Sequence, residues 1–100
     1  MTIDRRQVGI VSDGKANKIE VREGDRVELL PTHPEKPDGE DRRYLSHGQA
    51  EALRRFLEVD GPYTISWIRL WTCGTFNLYF KIPGREPGAL SRDFRPAEPH

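Results

Sequence analysis

The chain has 100 residues, 35% of them apolar and 32% charged, with sixteen basic side chains against sixteen acidic ones. That length carries one domain with a single modest core, and the charge balance excludes a global field that would draw the chain to nucleic acid or an anionic membrane. A lone cysteine, Cys73, excludes an intramolecular disulfide framework and a multi-cysteine zinc site.

The balance holds locally: residues 1–50 carry nine basic and ten acidic groups, residues 51–100 seven and six. The opening "MTIDRRQVGIVSDGK" shows no apolar leader and no run of eighteen apolar residues occurs, so the expectation is a soluble, cytoplasmic protein with no membrane contact. Twelve of the sixteen basic residues are arginine, a bias that hints at a bacterial or phage source.

In chain order, "QVGIV" (7–11) is an apolar run closed by Asp13-Gly14, a turn signal, and reads as a first strand. "KIEVREGDRVELL" (18–30) alternates Ile19 with Val21, breaks at "EGD", then alternates Val27 with Leu29, as two half-buried strands around a tight turn do. Residues 31–43, "PTHPEKPDGEDRR", are rich in proline and charge and predict an exposed, dispensable loop. A helix over about 46–58 follows, with Ser46 and Gln49 as a capping box, Leu45 and Ala50 as a staple, and Ala50, Leu53, Phe56 and Leu57 on one face. Asp60-Gly61-Pro62 ends it.

Residues 63–82, "YTISWIRLWTCGTFNLYFKI", read as a hairpin turning near Cys73-Gly74. A two- or four-residue loop pairs Trp71 with Phe76, Arg69 with Leu78, Trp67 with Phe80 and Ile65 with Ile82, making one face almost wholly apolar; this is the expected register. A three-residue loop instead sets Trp71 against Thr75 and Trp67 against Tyr79, because a one-residue slip exchanges the faces. In the expected register Arg69 is the single charge on the core face, between Trp67 and Trp71, either a structural cation lying over an indole or a functional group. The opposite face then holds Ile68, Leu70 and Tyr79, rimmed by Lys81 and Asn77, and either packs in the fold or contacts a partner. The remainder predicts one helical turn around Leu90 and Phe94 and a frayed tail over 95–100.

Catalytic signals are sparse. A nucleophilic Cys73 needs a base, for which His33 and His47 are the candidates, and nothing in the sequence lowers the thiol pKa. His33, Glu35, Asp38, Glu40 and Asp41 match no metal-ligand spacing, and "SDGKANK" lacks the spacing of a phosphate loop. No cofactor is expected. Arg42-Arg43 and Arg54-Arg55 are the one basic concentration, with Glu51 four residues before Arg55 as an ion-pair partner.

The cadence of "KIEVREGDRVELL" resembles the strand, diverging turn and strand of SH3-like small barrels, and "GALSRDFRP" is similar to the segment that closes them. The resemblance implies a fold only. The resulting expectation is a mostly antiparallel α+β domain over 1–94, either an SH3-like partly open barrel or an antiparallel sheet with one packed helix. Its expected function is a non-enzymatic binding or regulatory module that contacts another protein through Ile68, Leu70, Tyr79, Lys81, Arg54 and Arg55. The alternatives are a nucleic-acid-binding small barrel and a small cysteine- or histidine-dependent enzyme.

Overall fold

A computed structural model of the chain describes residues 5–13, 15, 17–32, 43–71 and 74–97. Eight strands and one α-helix follow in the order β1 (Arg5–Arg6), β2 (Val8–Ser12), β3 (Lys18–Arg22), β4 (Arg26–Leu29), α1 (His47–Leu57), β5 (Tyr63–Leu70), β6 (Phe76–Phe80), β7 (Gly88–Leu90) and β8 (Phe94–Pro96), with a 3-10 turn at Ser91–Asp93. All strand pairs are antiparallel. The large sheet runs β7-β6-β5-β4-β8, with β1 on the far half of β5, while β2 and β3 form a separate hairpin. The fold is thus α+β and mostly antiparallel, and among the described residues no sheet closes into a barrel.

Strands β3 and β4 fall where a period of two and a turn signal place them, and β2 where an apolar run closes at a turn signal. Asp25 tightens the β3–β4 turn, its carboxylate accepting from the Arg22 N–H at 2.8 Å. The helix is likewise where its capping box puts it: Ser46 accepts from the Gln49 N–H, and the Gln49 side chain accepts in return from the Ser46 N–H. Of its expected apolar face, Ala50 and Leu57 are buried and Leu53 is half-buried, but Phe56 is 48% exposed. Arg85 reaches over that ring and donates to the Phe56 carbonyl at 2.6 Å, so the flank of the helix is covered by a side chain and not by the sheet. Helix α1 ends on Glu58 in the left-handed conformation (φ 66°), before the Asp60-Gly61-Pro62 stop.

The hairpin of β5 and β6 departs from the expected register. Trp67 pairs with Tyr79, Ile68 with Leu78, Arg69 with Asn77 and Leu70 with Phe76, whereas Ile65 pairs with Phe80. The odd loop wins: the Trp71 N–H donates to Thr75, and Gly74 takes the positive φ of 84° that such a connection needs. Between Ile65 and Trp67 the β5 chain advances two residues while β6 advances one, so Ser66 is the extra residue of a β-bulge. The bulge reverses alternation, and Ile65 and Ile68, three apart, both turn inward and are fully buried. A pattern read with strict period two cannot contain such a step.

The inner face of the sheet carries Ile65, Ile68, Leu78, Phe80 and Phe94, and the β2–β3 hairpin covers it with Val11 and Val21. The approach is close: a Cβ built on Gly9 lies 3.2 Å from Ile68 Cγ2 and 3.5 Å from Leu78 Cδ2. Tyr63, Phe80 and Phe94 form an aromatic triad with centroid separations of 5.4, 5.0 and 6.2 Å. A second, smaller cluster joins Leu30 and Leu45 to Ala50 of the helix. The expected helical turn between Leu90 and Phe94 is present as the 3-10 turn Ser91–Asp93, flanked by β7 and β8, which pair with β6 and β4 while Ala89 and Phe94 enter the core. Arg95 and Pro96 belong to β8, and Arg95 bonds Glu28 at 2.8 Å, so the sheet extends past the expected end of the domain at 94. Of the expected loop 31–43, residues 33–42 lie outside the described residues; its two described ends meet where the Leu45 N–H donates to the Pro31 carbonyl at 2.9 Å.

Two stability measurements check this account. Phe80→Ala is expected to cost about 3–5 kcal/mol as a core truncation, and Trp67→Ala, on the other face, about 1–2 kcal/mol in the same denaturant titration; equal losses would contradict the register. Glu58→Gly relieves a left-handed residue while giving up only an ion pair to Arg85 in which the Glu58 side chain is 70% exposed. It is expected to stabilise the protein by about 0.5–1 kcal/mol, read as a raised thermal midpoint.

Candidate functional site

Because β5 is re-phased by its bulge, the side chains that turn away from the core are Trp67 and Arg69, with Trp71 just beyond the strand, and opposite them Asn77 and Tyr79. Strand pairing arranges them in two rows across the sheet. One row runs Trp67, Tyr79, Gly88 over three strands; the other runs Arg5, Arg69, Asn77, Leu90 over four. We call this surface the outer face.

The first row is a stack. The Trp67 and Tyr79 rings are 4.0 Å apart and within 7° of parallel. On the far side the Tyr79 ring leans onto Gly88, where an added Cβ would sit 2.5 Å from a ring carbon. Glycine weakens a strand, and an aromatic ring laid over it from the neighbouring strand restores contact there. Tyr79 is therefore held between Trp67 and Gly88.

The second row is electrostatic. Arg5 and Arg69 are direct cross-strand neighbours, an unfavourable pairing of like charges. Arg5 turns to Glu23, with its Nε and Nη2 at 2.8 and 2.6 Å from the same carboxylate oxygen. Arg69 lies with its guanidinium carbon 3.9 Å from the centroid of the Trp71 ring, itself 39% exposed. The Nε of Arg69 and the Oδ1 of Asn77 are buried and have no hydrogen-bond partner among the described residues. Lys81, exposed and next in the outward phase of Asn77 and Tyr79, makes no ion pair among the described residues. It borders a shallow open depression of about 680 Å³ along residues 81–86, beside Glu86, whose carboxylate accepts from the Ser66 hydroxyl.

The expected partner residues do not share one surface. Ile68 is fully buried beneath the β2–β3 hairpin and is a core residue, so it is withdrawn from any contact surface; Leu70 is half-buried on the same side, opposite Phe76. Tyr79 and Lys81 are on the outer face. Arg54 and Arg55 are exposed on the helix, where Arg55 pairs with Glu51 at 2.7 Å, and both favour the carbonyl end of the helix dipole. Trp67, Arg69 and Trp71 were expected together on the core face; they do stay together, but on the other side. His47 is exposed at the start of the helix, while Cys73, His33, Glu35, Asp38, Glu40 and Asp41 lie outside the described residues. Among the described residues no three histidine, cysteine or acidic side chains converge on one point.

Shifted ionisations lie elsewhere. Burial raises the Asp93 carboxyl above its usual range, against the pull of Arg92, in the 3-10 turn. Burial also raises Tyr63, whose hydroxyl donates to the Val59 carbonyl at 2.8 Å. Asp13 is lowered by a hydrogen bond from the Asn17 side chain, within the β2–β3 turn. Comparison with protein-family models, with curated proteins and with solved structures finds no match for the chain.

Gly88→Ala tests the outer row. The new methyl collides with a ring already pinned by Trp67, so a loss of about 1–3 kcal/mol is expected, as for overpacking. Tyr79→Ala in the same background is expected to recover most of the loss, since it removes the collision. A Gly88→Ala protein as stable as the parent would show that Tyr79 does not lie on that glycine.

Proposed function

We propose that this protein is a non-enzymatic binding module and that another protein is its partner, seated on the outer face of the large sheet. The observation that carries this reading is that half-buried Trp67, Arg69 and Tyr79 and exposed Trp71 share the outer face of the sheet. Tryptophan, tyrosine and arginine are the side chains that most often dominate the energy of protein interfaces, and they act best when clustered. Trp67 and Tyr79 are also preorganised by their stack, so little of their rotamer freedom remains to be lost on binding. The surface is supported by elements like those of an SH3-like small barrel: the diverging turn after β3 bonds to β5 through Ile65, which donates to Asp25 and accepts from Gly24.

Single-stranded nucleic acid is the second reading, favoured by aromatic and basic residues side by side on a sheet. Two observations place it behind the first. Base stacking needs free ring faces, yet Tyr79 is held between Trp67 and Gly88. The chain also carries no net positive charge, so phosphate binding has little electrostatic support.

A photo-crosslinking amino acid at position 71 tests the proposal in the organism's own lysate. The expected result is an adduct that protease removes and nuclease does not, lost in competition with the parent protein but not with a Trp67→Ser/Tyr79→Ser variant that remains folded. An adduct sensitive to nuclease would transfer the face to nucleic acid, and capture equally well competed by the double variant would remove the outer face from consideration.

A further inference from the structure

We propose that the outer face receives an acidic protein segment, one carboxylate of which pairs with Arg69 and lifts its guanidinium off Trp71. The inference rests on the protein-binding reading above and names the chemistry of the partner.

The argument starts from charge. Of the carboxylates beside the face, Glu23 is ion-paired by Arg5, whereas Glu86 accepts only a neutral hydroxyl from Ser66 and keeps its charge beside Lys81. Of the cations, Arg69 and Lys81 have no ion pair among the described residues. With Glu86 beside Lys81, Arg69 is the uncompensated positive group of the face among the described residues, and its complement is an anion. An anion also relieves the opposition of Arg5 and Arg69 across the strand pair.

The hydrogen-bonding groups narrow the anion further. A guanidinium binds a carboxylate most strongly through two parallel N–H groups, and Nε–H supplies one of the pair along its side. In Arg69 that Nε is buried against the protein without an acceptor. Cation–π contact with Trp71 compensates the charge in part but gives Nε–H no acceptor. Rotation of the side chain off the indole turns the Nε edge outward and bares the Trp71 ring, so one movement offers a fork for a carboxylate and an apolar seat beside it. Asn77, directly across from Arg69, adds a buried carbonyl oxygen without a partner among the described residues, which can accept a backbone N–H of an extended chain only once Arg69 has swung away. A polypeptide supplies all three groups: carboxylate, apolar side chain and N–H donor.

The test uses a fluorescein-labelled random copolymer of glutamate and tyrosine as the probe, with a lysine–tyrosine copolymer and labelled oligothymidylate as comparisons, followed by anisotropy with the full chain. The glutamate–tyrosine probe is expected to bind and the lysine–tyrosine probe not to bind. Arg69→Gln should weaken binding by about tenfold or more and Arg69→Lys by nearly as much, because an ammonium lacks the planar fork. Arg69→Glu should reverse the preference toward the lysine copolymer, and Lys18→Gln, at an exposed position of β3, should leave affinity unchanged. Each variant is checked by thermal melting, so a fold defect in one does not stand for the set.

Failure of the glutamate copolymer to bind, unchanged binding in Arg69→Gln, or tighter binding of oligothymidylate each overturns the inference. A protease-sensitive adduct at position 71 obtained alongside any of the first two results would leave the protein-binding surface standing and remove only its acidic partner.

Discussion

Ser66 is one residue more than the pairing of β5 with β6 requires, and the rest of the architecture is organised around that excess. The bulge turns Ile65 and Ile68 to the same side, so the inner face gains two fully buried isoleucines from a span in which strict alternation would allow one. Ile65 also exchanges backbone hydrogen bonds with the β3–β4 turn, accepting from Gly24 at 2.8 Å and donating to Asp25 at 2.9 Å. The strand is therefore bent where the hairpin that covers it is fastened. On the other side, the same re-phasing leaves Trp67, Arg69 and Trp71 facing outward. Core and candidate site are two products of one irregularity.

What could be read from the sequence follows from which signals are local. The capping box of Ser46 and Gln49, the "EGD" turn and the alternation of Ile19/Val21 and Val27/Leu29 act over a few residues, and the helix and strands β2 to β4 appear where those signals place them. The grouping of Trp67, Arg69 and Trp71 on one face was also legible, since spacing by two survives whichever way the strand faces. Its direction was not, because a bulge is decided by long-range packing against Gly9, Leu78 and Phe80 and leaves no mark in the local pattern. Strands β7 and β8 are three residues each and owe their form to partners far away in the chain, so "GALSRDFRP" showed no period to read. On the outer face, Tyr79 is legible in the sequence as an aromatic of the sheet and Lys81 and Asn77 as its rim, whereas nothing in the local pattern marks Gly88.

The outer face differs from an ordinary solvated sheet surface in how its side chains are restrained. Trp67 and Tyr79 support each other over Gly88, and Arg69 is laid on Trp71. Long or flexible side chains that are already immobilised lose less entropy when covered. The face also leaves a buried donor and a buried acceptor without partners among the described residues, side by side across β5 and β6. Rigid apolar rings beside unmet polar groups form a surface that is stable by itself and more stable when the right groups arrive.

Helix α1 is joined to two different bodies. Near its start Ala50 rests in the small cluster with Leu30 and Leu45, while at its end Leu57 is fully buried in the main core and Arg85 holds the last turn through the Phe56 carbonyl and Glu58. The two ends are thus secured by unequal amounts of buried surface. Backbone amides in the first turns can exchange their hydrogens with water when the small cluster opens alone, whereas those around Leu57 are exposed only when the main core comes apart. One eleven-residue helix accordingly spans two levels of local stability, and slow exchange at its end marks the boundary of the cooperative unit.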